Sequence, residues 1–222
     1  MDNFLVNSFN LEKLVFSKPK KYADYMLCKV KYPNESGELD DMCIQFPKMT
    51  ISSDPDEKNL ETEFVSVKGY NKEIFNFLSK LDANIVEYIS SQSEEWFGRK
   101  IPKESIKKMY NSFVKAPKTS ENRCNLNFTF KMQKNEMKTV FMDKKSNEIE
   151  FSQFKKGETV ECISQFKYLI FSKDTCFSIW EVISSKLHKK TQKVPKFGFI
   201  DDPDDKPKCD SDDEENFIGS FF

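Results

Sequence analysis

From Cys124 to Met132 apolar and polar residues alternate without a break, with Cys124, Leu126, Phe128, Phe130 and Met132 set against Asn125, Asn127, Thr129 and Lys131. A period of two held over nine positions describes a β-strand with one face in a core and the other in water; a helix would scatter these apolar residues around its whole circumference. The neighbouring sequence has the same character. Thr139–Met142 and Glu148–Phe151 read as short strands about a turn at Asp143–Asn147. Thr159–Phe171 and Cys176–Leu187 read as two longer strands, joined into a hairpin by Ser172-Lys173-Asp174-Thr175. Upstream, Tyr25–Tyr32 and Met42–Ile51 extend on either side of a turn at Pro33–Asp41, and Glu63–Val67 is a further short strand.

Between these β-rich stretches the period changes. Ile74, Phe77, Leu78, Leu81, Ile85, Tyr88 and Ile89 recur at helix spacing behind an Asn71 cap. A second helix begins near Pro102, where proline suits a first turn, and carries Ile106, Met109, Tyr110 and Phe113 until Pro117 stops it. Gly98, in Trp96-Phe97-Gly98, supplies a positive φ at the corner between the two. Strands, a helical insertion over residues 71–116, then more strands predict a mainly β domain over residues 1–190. Both a small antiparallel barrel and an α+β sandwich fit that order.

Charge is divided unevenly along the chain. Of 36 acidic and 35 basic residues, nine and two fall in Ile200–Phe222, which leaves Met1–Phe199 near +6 and the tail near −7. Residues 191–222 run from a polar linker, Thr191–Lys196, into an acidic stretch interrupted by Pro203 and Pro207, a composition expected to be disordered when free. Its last part sets Asp210, Asp212, Asp213, Glu214 and Glu215 before Phe217, Phe221 and Phe222. Aromatic residues left in water promote aggregation, so such an ending reads as a docking device for a pocket on a partner. A basic body with an acidic tail points to a body that binds a polyanion and a tail that either covers that surface or recruits a basic partner.

Catalytic signatures are not found in the sequence: it contains neither G-x-x-x-x-G-K-[ST] nor G-x-G-x-x-G, H-E-x-x-H or G-x-S-x-G. A carboxylate-only site would have to be gathered from residues such as Asp24, Asp40, Asp41 and Glu161, which read better as solvated surface acids. The expectation is a protein that is not an enzyme and needs no cofactor. Six cysteines without a C-x-x-C pair and one histidine, His188, make a structural metal site improbable. Met1-Asp2-Asn3-Phe4 does not open a secretion signal and no stretch is long and apolar enough for a span, so a soluble protein of a reducing compartment is expected.

Nucleic-acid binding has positive support, because lysines and aromatic residues are interleaved on the strands. Single-strand binders need both: lysine follows the phosphates, and a base stacked on an aromatic face contributes about 1 to 3 kcal/mol. The candidate contacts are Lys29, Lys31, Tyr32, Lys131, Lys167, Tyr168, Trp180, Lys186 and Lys189. Thirty-three of the 35 basic residues are lysine, the exceptions being Arg99 and Arg123. Lysine is a mobile point charge and arginine a guanine-reading fork, so any binding should ignore sequence.

The order of strands, helical insertion and strands, the Trp96-Phe97-Gly98 segment before a helix, the paired strands with the Ile179-Trp180 step, and the acidic tail ending in Phe222 together resemble a known family. It is that of the single-stranded-DNA-binding proteins of the bacteriophage T-seven type and their relatives in large nucleocytoplasmic DNA viruses. The resemblance implies a five-stranded antiparallel OB-type barrel that holds single-stranded DNA in a basic, aromatic-dotted groove. It further implies a tail that competes for that groove, across a homodimer in many members, and docks on the viral DNA polymerase or other replication proteins. The compartment would be the host cytoplasm at the site of viral replication, or the nucleus. An alternative of another class is a virion-assembly or transcription adaptor that uses the tail as a docking peptide and has no preference for single strands.

Overall fold

Alternation of side chains becomes a closed barrel in the computed structural model, which describes residues 5–66, 69–115 and 122–189. In chain order the elements are β1 (Val15–Phe16), β2 (Lys20–Tyr22), β3 (Tyr25–Pro33), β4 (Leu39–Asp40), β5 (Met42–Gln45), β6 (Met49–Ile51) and β7 (Asn59–Val65). Helices α1 (Gly69–Phe97) and α2 (Lys103–Met109) follow. The remaining strands are β8 (Tyr110–Asn111), β9 (Arg123–Phe130), β10 (Met132–Gln133), β11 (Glu136–Met137), β12 (Val140–Asp143), β13 (Thr159–Phe171) and β14 (Cys176–His188).

The hairpin of β13 and β14 organises the rest. Its ladder runs antiparallel from the Thr159–His188 pair to the Phe171–Cys176 pair, with register shifts at Ile163/Ser164 and Phe166/Tyr168. On its free edge β13 takes β6 at Thr159–Val160, β5 at Ile163–Phe166 and β3 at Tyr168–Phe171. β6 then pairs with β7 and β7 with β9, both antiparallel, and β9 returns to β14 in parallel. The ring is closed. With β5 and β6 counted as one bent strand, the order around it is first, second, third, fifth, fourth and back to first, an OB-type barrel. The bend falls at Phe46-Pro47-Lys48, where Pro47 has no N–H for the ladder. Phe46 keeps its own bond there, donating to the Cys162 carbonyl at 2.7 Å.

The barrel core is aromatic. Trp180 is 1% exposed and lies between Phe166, stacked at 4.9 Å and 12°, and Phe113, at 5.3 Å and 25°. Phe46 meets Phe128 edge-on at 4.8 Å beneath them. β9 buries Cys124, Leu126, Phe128 and Phe130 and leaves Arg123, Asn125 and Asn127 exposed, as its alternation predicts.

The helices close the side of the sheet extension made by β1 and β3. Helix α1 buries Ile74, Phe77, Leu78, Leu81, Ile85 and Ile89, and its half-buried Tyr88 meets Phe16 of β1 at 4.6 Å. The Tyr70 hydroxyl donates to the Gln45 carbonyl at 2.7 Å and ties the start of α1 to β5. Among the described residues no helix is long and apolar enough to cross a membrane.

Three local expectations change. Asn71 does not cap α1, which starts at Gly69; its amide donates to the Val65 carbonyl at 2.9 Å. Helix α2 ends at Met109, well before Pro117, because Tyr110–Asn111 pairs with β14 as β8 and Phe113 is drawn into the Trp180 stack. Glu148–Phe151 is not a strand: Glu148 makes one bridge to Met142, and a 3-10 turn at Phe151–Gln153 sets Phe151 and Phe154 against Phe141 at 5.3 and 5.0 Å. In the last two, tertiary packing of a phenylalanine overrides the local pattern. The linker and tail, residues 191–222, lie outside the described residues.

Replacing Trp180 by alanine removes the ring shared by two stacks, and the expected loss of stability is about 3–5 kcal/mol. Urea unfolding monitored by far-ultraviolet circular dichroism measures it.

Candidate nucleic-acid interface

Residues directly opposite in a β-ladder project to the same side of the sheet, so the register defines rows of side chains across strands. One row joins Lys29 of β3, Tyr168 of β13 and Ile179 of β14. The next joins Leu27, Ile170 and Phe177. All six are exposed or half-buried, whereas the alternate positions Cys28, Leu169, Phe171, Cys176 and Trp180 are buried. The two rows therefore form the outer face of the sheet, opposite the core.

Towards β9 and β7 this face falls into a cleft of about 440 Å³. Asn59 and Glu61 of β7, Asn127 of β9, Phe177 and Ile179 of β14, and Lys115 are among its walls. Asn125 and Thr129 continue the polar side. Apolar faces on one wall and amides, with the Glu61 carboxylate among them, on the other suit a base, whose rings need stacking and whose edges need both donors and acceptors. In OB folds the faces of the second and third strands and the adjoining loops carry oligonucleotides, and here those strands are β7 and β9.

Charges on the face are partly spent within the protein. The Lys167 ammonium lies 2.5 Å from the Glu181 carboxylate and 5.3 Å from the Tyr168 ring centre. Lys31 pairs with Asp41 at 2.6 Å, and Arg123 with Glu63 at 2.7 Å. Lys29 is exposed directly opposite Tyr168.

The contacts expected from the sequence are thus separated. Lys29, Lys167 and Tyr168 meet on one face, with Lys31 two residues further along β3. Tyr32 turns to the other side, where its hydroxyl accepts the Asn10 N–H at 2.9 Å and its ring meets Phe9 at 5.0 Å, so it anchors the N-terminal turns. Trp180 is core, and its stacking faces are taken by Phe166 and Phe113. Lys186 is opposite Glu161, seven residues from Ile179 and so roughly 23 Å along the strand. Lys189 follows β14, and Lys131 follows β9, where its N–H donates to Thr139 at 2.9 Å. None of these three joins the rows described above. Phe177, Ile179, Asn59 and Asn127 were not among the expected contacts, although the phase of Cys176–Val182 sets Phe177 and Ile179 opposite Trp180. The tail positions from Asp210 to Phe222 lie outside the described residues.

Burial pushes the Cys28 and Cys162 thiols, on the core side of these strands, up to about 12 and keeps them protonated at neutral pH.

Residues 53–201 match the model of DUF5871, a family of unknown function. The chain belongs to that family. The matched span holds both helices and β7 to β14, and so most of the cleft; β3 lies before it. No curated protein matches this DUF5871 member in sequence. Among solved structures it is similar to gp2.5, a single-stranded DNA-binding protein encoded by bacteriophage T7, at 8% identity and a TM-score of 0.49, over 70% of this chain and 96% of that one. It is also similar to the single-stranded DNA-binding protein from bacteriophage Enc34, at 13% identity. The C-terminally truncated form gives a TM-score of 0.41 over 83% of this chain and 98% of that one. The form in complex with single-stranded DNA gives 0.37 over 81% and 97%.

Behind the cleft, the Asp82 carboxylate of α1 accepts hydrogen bonds from the Tyr110 hydroxyl at 2.6 Å and from the Ser112 hydroxyl, which lines the cleft. Burial raises the Asp82 pKa above the ordinary carboxylate value, and the bonds from Ser112 and Tyr110 offset only part of that rise. The folded protein then holds this proton to higher pH than the unfolded chain. Asp82 should favour folding most below about pH 4, with the advantage lost as pH rises through the raised value. Urea midpoints across this range should show the decline, and Asp82→Asn should flatten it.

Proposed function

We propose that this protein binds single-stranded DNA without reading its sequence, in the replication apparatus of a large DNA virus. The strand crosses the outer face of β13 and β14, from Lys29 and Tyr168 to the cleft between Phe177 and the asparagines of β7 and β9. The observation that carries this reading is the register, which sets Lys29, Tyr168 and Ile179 in one row and Phe177 in the next. Phosphates take lysine, bases take the tyrosine and phenylalanine faces, and the amides of Asn59, Asn125 and Asn127 accept any base edge. The near absence of arginine agrees with sequence tolerance. The protein performs no catalytic step in this role.

The acidic tail acts as a tethered competitor. Its high local concentration lets it occupy the basic face when DNA is absent, and DNA displaces it. The released tail, with Phe217, Phe221 and Phe222, is then available to a replication partner such as a polymerase, so that binding and recruitment are coupled.

Fluorescent oligo-dT and a duplex of equal length, titrated at two salt concentrations with the full protein and with a chain ending at Phe199, test both parts. Expected results are preference for the single strand, weaker binding at higher salt and tighter binding on truncation. Lys29→Ala with Tyr168→Ala should weaken binding roughly tenfold or more, whereas Lys186→Ala with Lys189→Ala should change it far less. Equal, weak binding to single strand and duplex would overturn the proposal.

A further inference from the structure

Beyond the face described above, the β2–β3 hairpin carries two tyrosines that pack no core. Tyr22 and Tyr25 are directly opposite across the hairpin, their rings nearly parallel at 16° with centres 6.1 Å apart. They are 48% and 41% exposed, among the most exposed large hydrophobic side chains of the described residues. Lys20 and Lys21 precede them and are exposed as well.

Register ties this pair to the barrel face. Lys20 is opposite Leu27, Leu27 opposite Ile170, and Ile170 opposite Phe177, a single row over four strands. Tyr25 lies two residues before Leu27 and therefore on the same side, with Tyr22 beside it. Tyr25 also stands one residue beyond the Met26–Phe171 pair, level with the turn that carries exposed Lys173. In OB folds that turn, between the fourth and fifth strands, borders the bound oligonucleotide. The turn of the hairpin itself holds Ala23 at φ +40°, a conformation that glycine usually supplies at such a position. A cross-strand tyrosine pair steadies a hairpin, yet that role alone does not account for rings open to water beside lysines, on the same side of the sheet as Phe177 and one row from it.

We infer that the β2–β3 hairpin is a base-stacking platform that extends the single-strand path past the barrel, with Tyr22 and Tyr25 taking bases and Lys20 and Lys173 taking phosphates. The inference rests on single-strand binding by the barrel face. Three strand spacings separate β2 from β14, about 14 Å, which corresponds to roughly four nucleotides at the rise of a stacked strand. The ligand class is single-stranded nucleic acid longer than the barrel alone can cover.

The test titrates an oligo-dT length series with the full chain, with Tyr22→Ala/Tyr25→Ala, with Tyr22→Phe/Tyr25→Phe and with Lys20→Glu. For long oligomers the alanine pair should bind roughly tenfold or more weakly, and its affinity should stop rising with length a few nucleotides before that of the unaltered protein. The phenylalanine pair, which keeps both stacking faces, should retain most of the affinity. Lys20→Glu, on an exposed site that cannot disturb the core, should weaken binding and lower its salt dependence. Light-induced crosslinking of iodouracil-substituted oligomers should mark the peptide containing Tyr22 and Tyr25. If the unaltered protein binds but the alanine pair and Lys20→Glu bind equally well, the platform is refuted and the barrel face stands. Equal losses in the alanine and phenylalanine pairs would refute stacking as its mechanism. An unaltered protein that does not bind single strands overturns both.

Discussion

The ladder between β13 and β14 is the seam on which every other strand of the barrel depends. A short hairpin would suffice to close a five-stranded ring, but both strands here run for thirteen residues. The extra length lets one edge receive β6, β5 and β3 in succession while the other receives β8, β9 and β12. Two register shifts bend the ladder where the ring must curve, which is the usual work of a β-bulge. Trp180 sits at the middle of this seam, and its stack with Phe166 and Phe113 fastens β14 to β13 and to the chain leaving α2.

From that ladder follow two surfaces of opposite character. The inner side is closed by α1 and by aromatic packing around Phe16, Tyr88, Trp96 and Phe171. Among the described residues the outer side stays open and presents its side chains in rows that cross several strands. Its chemistry is less basic than the overall charge of the body implies, since Lys31 and Lys167 already have carboxylate partners. Aromatic faces, branched aliphatic residues and asparagine amides make up much of it. In the proposed role, recognition by such a surface would lean on stacking, with a few lysines setting the path of the phosphates.

Much of the fold was legible in local pattern. The nine-residue alternation from Cys124 became β9, the two long runs became the β13–β14 hairpin, and the helix-spaced apolar residues became the buried stripe of α1. Patterns failed where a single aromatic residue found a better place in the core, as Phe113 did beside Trp180 and Phe151 beside Phe141. The site was less legible. Interleaving along the chain could nominate Tyr32, Tyr168 and Trp180 alike, because it does not say which side of a sheet each ring faces. Lys186 and Lys29 look equivalent in sequence, yet they occupy distant stretches of the same sheet.

The sequence by itself determined the positions of the main strands and helices, the split between a basic body and an acidic aromatic tail, and the scarcity of arginine. These are local or additive properties, set by period and composition. Only the tertiary structure decided that the strands close into a ring, that Lys29 stands opposite Tyr168, and that Phe177 faces outward while Trp180 is enclosed. Strand pairing joins residues more than one hundred positions apart, and a slip of one residue would exchange the two faces of a strand. The register that builds the candidate interface is therefore a property of the folded chain as a whole.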